Sequence, residues 1–192
     1  MIYLIAGLVL FLGAHSVRIF ADAWRTEVIA KVGEKAFKGI YSLVSLAGFV
    51  LLIWGFGVAR ETPVIVWNPP VAMRHIAGLL TLLAFIFLAA SHGPANAIKA
   101  RVHHPMVLAV KTWALAHLLA NGTLAHIVLF GAFLAWAVLD FIAARKRDRA
   151  NNTQYPAGKS SGTLIAVGVG IATWALFAFW LHGLLIGVKP MG

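Results

Sequence analysis

The stretch that decides the architecture is residues 105–143, PMVLAVKTWALAHLLANGTLAHIVLFGAFLAWAVLDFIA. It holds two apolar runs, Pro105–Ala120 and Thr123–Ala143, separated only by Asn121-Gly122. Asn-Gly is a tight-turn signal, so the pair reads as an antiparallel helix hairpin. About 20 apolar residues in a helix rise about 30 Å, the thickness of bilayer hydrocarbon. Similar runs lie to either side at Ile2–Phe20, Gly39–Ala59, Val71–Ala90 and Thr163–Val188. The expectation is an all-α, integral membrane six-helix bundle, a single domain over residues 1–192. The fourth run, Pro105–Ala120, is the shortest and carries Lys111.

Composition supports this class. Of 192 residues, 61% are hydrophobic and 11% charged, with a mean hydropathy of +0.87. A soluble domain carries about 25% charged residues. The chain has no cysteine, which excludes disulfides, thiolate-ligated haem, iron–sulfur clusters and cysteine-based zinc sites. The formal charge of +10 would suggest nucleic acid in a soluble protein. Here no run combines basic residues with exposed aromatics, and the charge follows topology, so lipids and not nucleic acid are the expected surroundings.

Basic residues set orientation. The segments after the first, third and fifth runs hold Arg18, Arg25, Lys31, Lys35 and Lys38, then Lys99, Arg101 and Lys111, then Arg145, Lys146, Arg147, Arg149 and Lys159. The other side holds only Arg60, Arg74 and Lys189. The odd-numbered loops are therefore expected in the cytoplasm and both termini outside, as in a multi-pass protein of a bacterial inner membrane. Ala21-Asp22-Ala23 resembles a signal-peptide cleavage site. Basic residues follow the first run and none precedes it, the reverse of a secretory signal, so it reads as a retained helix.

Between the runs, residues 24–38 alternate Trp24, Val28, Val32 and Phe37 with Lys31, Lys35 and Lys38. They are expected to form an interfacial amphipathic segment on the anionic inner leaflet. Residues 63–70, PVIVWNPP, read as a stiff apolar outer loop, and residues 145–162 as a polar, flexible one. Ala166 and Gly170, four apart, suit a close helix contact in the sixth run.

The chain has eight histidines, and His15 and His117 fall well inside apolar runs. An ionisable group in hydrocarbon is costly and marks a working site. Imidazole is a common ligand for iron, copper and zinc. Counting from the run centres separates His15 and His117 in depth by roughly 10 Å, within the span of a tilted haem. Arg18 and Asp22 follow His15 on one helix face, where Arg18 either serves a haem propionate or snorkels to the interface. Lys111 has the same choice, with Asp140 as a third partner. His75, His126 and His182 lie nearer the outer ends, and His92 nearer the inner. His103 and His104 precede Pro105 and read as loop residues at a helix start. His126 and Asp140, on roughly one helix face, form a thin candidate proton path.

Residues 7–18, GLVLFLGAHSVR, residues 33–46, GEKAFKGIYSLVSL, and residues 101–106, RVHHPM, followed by WALAHLLANG at 113–122, resemble the NnrU family of bacterial membrane proteins. The resemblance covers nearly the whole chain. It implies a context of denitrification and nitric oxide reductase. The family is in turn similar to zeta-carotene isomerase, a membrane enzyme with haem b that isomerises a cis double bond in a polyene. That similarity implies haem ligation by His15 and His117, the two residues that burial singles out. Where the isomerase has a cysteine, this chain has Ala114.

Three functions remain open on the sequence. The first is a haem b protein with His15 and His117 on the iron and Arg18 and Lys111 near the propionates, acting in redox chemistry or as an isomerase-like enzyme on an apolar substrate. The second is a haem-free accessory or assembly protein for nitric oxide reductase. The third is a small proton-coupled transporter.

Overall fold

The computed structural model describes residues 1–191, in which every regular element is helical. The helices are α1 (Ile2–Phe20), α2 (Asp22–Val32), α3 (Glu34–Glu61), α4 (Ala72–His92), α5 (Ala97–Val102), α6 (Pro105–Ala120), α7 (Leu124–Ala150) and α8 (Ser160–Ile186). Five of them, α1, α3, α4, α7 and α8, are long and apolar enough to cross a membrane. The sixth expected span, α6, is also a helix but has 16 residues. At 1.5 Å each that is about 24 Å, short of a full hydrocarbon thickness.

Local chemistry explains the boundaries. Gly33, at φ 84, separates α2 from α3 in a conformation that favours glycine. Pro105 opens α6 where its missing N–H costs nothing. Asn96, 1% exposed, caps α5 by accepting from the Lys99 amide at 2.7 Å. Its amide also donates to the Ala90 and Pro94 carbonyls at 2.9 and 2.8 Å. The buried polar group is thus satisfied. Within α8, residues Phe177–Leu181 widen into a π-turn that nothing in the sequence signals.

The long helices pack in the order α3, α1, α7, α6, α4, α8, each against its neighbours in that row. Two junctions rely on glycine. Gly7, Gly48 and Gly55 let α1 and α3 touch backbone to backbone, and a Cβ on Gly48 would lie 2.6 Å from the Phe11 amide nitrogen. Gly170 meets α4 in the same way, with a Cβ position 2.6 Å from Ile86 Cα, and Ala166 beside it is 1% exposed. The small pair expected to make a close contact in the last span does so, with α4 as its partner. In lipid, where burial of apolar surface does not drive helices together, such approach replaces the hydrophobic effect.

Three expectations change. Residues 22–32 are helical but not amphipathic. Lys31 follows Trp24 by seven residues and so shares its face, and no residue of α2 is buried. The polar loop after the fifth span is shorter than expected, because α7 runs on to Ala150 and α8 starts at Ser160. It is also fixed at its far end: the Lys159 amide donates to the Ala95 carbonyl at 3.2 Å, and the Ala97 amide to Thr163 Oγ1 at 2.9 Å. The apolar outer loop straps the α6–α7 turn. The Val66 amide donates to the Gly122 carbonyl and the Leu124 amide to the Val64 carbonyl, both at 2.8 Å. A side chain on Gly122 would overlap the Trp67 carbonyl, so this turn requires glycine.

Gly48→Leu is expected to separate α1 from α3 and to destabilise the protein by about 1–3 kcal/mol, the usual cost of overpacking. Gly57→Ala, on the same helix with open space around its Cβ, serves as control and is expected to keep or slightly raise the melting temperature in detergent.

Candidate functional site

His15 and His117 are held in the same way. The His15 Nδ1–H donates to the Phe11 carbonyl at 2.7 Å, and the His117 Nδ1–H to the Trp113 carbonyl at 2.9 Å. In each case the acceptor is one helical turn back, so no other element is needed to orient the ring. In a neutral ring such a bond fixes the tautomer and leaves Nε2 without a proton, the arrangement found at histidines that ligate metals.

The two rings sit on different neighbours. His15, on α1, lies 4.3 Å from Phe11, 5.3 Å from Tyr41 of α3 and 6.1 Å from Trp136 of α7, measured between ring centroids. His117, on α6, stacks on Phe130 of α7 at 4.4 Å and lies 5.1 Å from Trp113. Helix α7 stands between α1 and α6 and carries both aromatic partners. Six residues separate Phe130 from Trp136, roughly 9 Å along the axis. That agrees with the depth difference counted from the sequence. A continuous chain of rings joins the two imidazoles: Phe11 meets Phe133 at 5.9 Å, and Phe133 meets Trp113 at 5.6 Å.

Two buried polar atoms near His15 have no hydrogen-bond partner, Trp136 Nε1 and Ser45 Oγ, the latter one turn beyond Tyr41 on α3. A buried donor without an acceptor costs about 1–3 kcal/mol and calls for an explanation. A bound group with acceptor atoms would satisfy both. Among the described residues, no three His, Asp or Glu side chains come together to hold a bare metal ion. Two imidazoles suffice only for a metal that brings its own equatorial ligands, as haem does. The residues around His15 therefore suit a haem in donor chemistry, in tautomer and in aromatic walls.

The other candidates are elsewhere. Arg18 lies at the basic end with its Nε 4.0 Å from Asp22, and its carbonyl accepts from Arg147 Nη1 at 3.2 Å. Lys111 places its ammonium 5.7 Å above the Phe141 ring. The carboxylate of Asp140 is paired with Arg147 at 3.8 Å and not with Lys111. His126 hydrogen-bonds Thr123 Oγ1 at 2.6 Å at the opposite end of α7, and the aromatic rings of α7 lie between it and Asp140. The sequence reading missed three features. One is the neighbourhood of His117 and His126, which both stack on Phe130, at 4.4 and 6.0 Å. The second is Arg60, which stands over Phe56 at 5.6 Å and donates to the Ile186 carbonyl at 3.2 Å. The third is the pair of unpartnered atoms beside His15. None has a local signal, since each depends on which helices adjoin.

No curated protein and no solved structure matches the chain. A family model described as NnrU protein matches residues 3–190. With that match over nearly its whole length, the protein belongs to the NnrU family.

Proposed function

We propose that this NnrU-family protein is a haem b protein of the bacterial inner membrane, with six spans, both termini outside, and His15 and His117 as the iron-binding imidazoles. One observation carries the reading. His15 and His117, the two histidines well inside the apolar runs, each have Nδ1 bonded to the carbonyl one turn back, which in the neutral ring leaves Nε2 bare. The unpartnered Trp136 and Ser45 atoms beside His15, and the resemblance of its histidine segments to those of zeta-carotene isomerase, support it further. Haem iron supplies redox chemistry and, where one ligand gives way, a site for nitric oxide or for a polyene. This chain's own residues would orient the imidazoles through the Phe11 and Trp113 carbonyls and exclude water with the rings of Phe11, Trp113, Phe133 and Trp136. Arg18 and Lys111, at the basic end, are the cations available to propionates.

A second reading is favoured by the chain of rings between the two imidazoles. Rings already in contact can make the histidines packing elements of a haem-free accessory subunit, with nitric oxide reductase as the partner.

The optical spectrum of protein purified from haem-replete cells, oxidised and reduced, distinguishes the two. The haem reading expects bis-imidazole bands that His15→Ala or His117→Ala removes or greatly weakens. Colourless protein that co-purifies with a reductase subunit overturns it. Ser45→Ala removes a buried hydroxyl that has no partner. It is expected to leave the haem-free protein as stable or about 1 kcal/mol more stable by thermal melting, while lowering the haem retained after detergent washing.

A further inference from the structure

At the basic end, five side chains from three segments interlock. His103 and His104 come from the turn between α5 and α6, Arg145 and Asp148 from the end of α7, and Tyr155 from the α7–α8 loop. His104 Nε2–H donates to Asp148 Oδ2 at 2.7 Å, and the Tyr155 hydroxyl donates to the same oxygen at 2.9 Å. The His103 and Tyr155 rings stack face to face, 4.1 Å apart and 6° from parallel. Arg145 Nη1 donates to His103 Nδ1.

The backbone at His103 is strained. Its φ of 66 and ψ of −48, with the His104 amide donating to the Val102 carbonyl at 2.8 Å, describe a γ-turn of the rare positive-φ kind. A residue other than glycine holds such a conformation only when its surroundings over-determine it, and such strain gathers at switch regions. The surroundings here are the Arg145 hydrogen bond and the Tyr155 stack.

We propose that His103 is a proton-operated catch that, while neutral, clasps the α7–α8 loop to the α5–α6 turn, and that releases the loop when the basic side acidifies. The mechanism follows from donors and acceptors. Nδ1 of His103 accepts from Arg145 only while it is unprotonated. A proton there removes the bond and sets two cations side by side, and the strained turn relaxes. The groups facing His103 are Arg145 and Asp148 on α7, Tyr155 on the loop and the adjacent His104. Lys111 of α6 stands farther off, across the Phe141 ring that His104 also touches. Tyr155 does not supply the switch. Partial burial, then the hydrogen bond and charge of Asp148, push its phenol up to about 12. Its contribution is complete below the ordinary phenol range near 10 and is lost only as pH rises through about 12. A proton on His104 strengthens its bond to Asp148, so His104 cannot be the release either.

The test is hydrogen exchange of the full chain in nanodiscs at pH 5.5 and 7.5, corrected for intrinsic exchange and followed at residues 153–158. Wild type is expected to exchange there several-fold faster at the lower pH. His103→Asn keeps an acceptor and tolerates positive φ but does not titrate, so its loop should exchange equally at both. Tyr155→Phe keeps the stack and loses the bond to Asp148. It should exchange faster at both pH values and retain the step. A wild-type loop that is insensitive to pH overturns the proposal, and so does a step that persists in His103→Asn or disappears in Tyr155→Phe.

Discussion

Ring packing along α7 is the contact on which the arrangement depends. Phe130, Phe133 and Trp136 present aromatic faces on three successive turns. They receive His117 and Trp113 from α6 on one side, and Phe11 and His15 from α1 on the other. α1 and α6 are linked through α7, so the positions of both inward histidines are defined relative to one element. Aromatic pairs add about 0.5–1.5 kcal/mol each beyond burial. In lipid, where burial by itself drives nothing together, that specificity sets the register.

The same environment explains how the imidazoles are held. Hydrocarbon offers no water, so each ring N–H must find an oxygen within the protein. A carbonyl one turn back is the nearest available, and both His15 and His117 use it. In the neutral ring this leaves Nε2 bare in each case, and the tautomer is set without any second helix. The unpartnered Trp136 and Ser45 atoms show where the satisfaction is incomplete. Histidines at the basic end follow a different logic. There His103 and His104 meet Arg145, Asp148 and Tyr155, side chains of other segments and not a carbonyl one turn back.

The two ends of the bundle are thus built differently. At the end opposite the basic loops, the residue 63–70 strap lies on the α6–α7 turn by backbone hydrogen bonds that require Gly122. Those bonds carry no titratable group. At the basic end, the α7–α8 loop is held by side chains, with Tyr155 bonded to Asp148 and stacked on His103.

Much was legible in the sequence, because hydrophobic length and charge placement are local properties. Runs of apolar residues marked five long helices and the shorter α6, and Asn121-Gly122 placed the hairpin turn. The cysteine count excluded whole classes of metal site. Tertiary structure alone decided which helices adjoin. It set α7 between α1 and α6, turned Asp140 to Arg147, and closed Tyr155 over His103. It also revealed that residues 22–32 lack an apolar face, that α7 continues to Ala150, and that α8 contains a π-turn. The reason is physical. Span length and depth follow from rise per residue and apolar content, which each segment carries by itself. Lateral order, ring contacts and ion pairs follow from shape matching between segments far apart in the chain, and no segment encodes its neighbour.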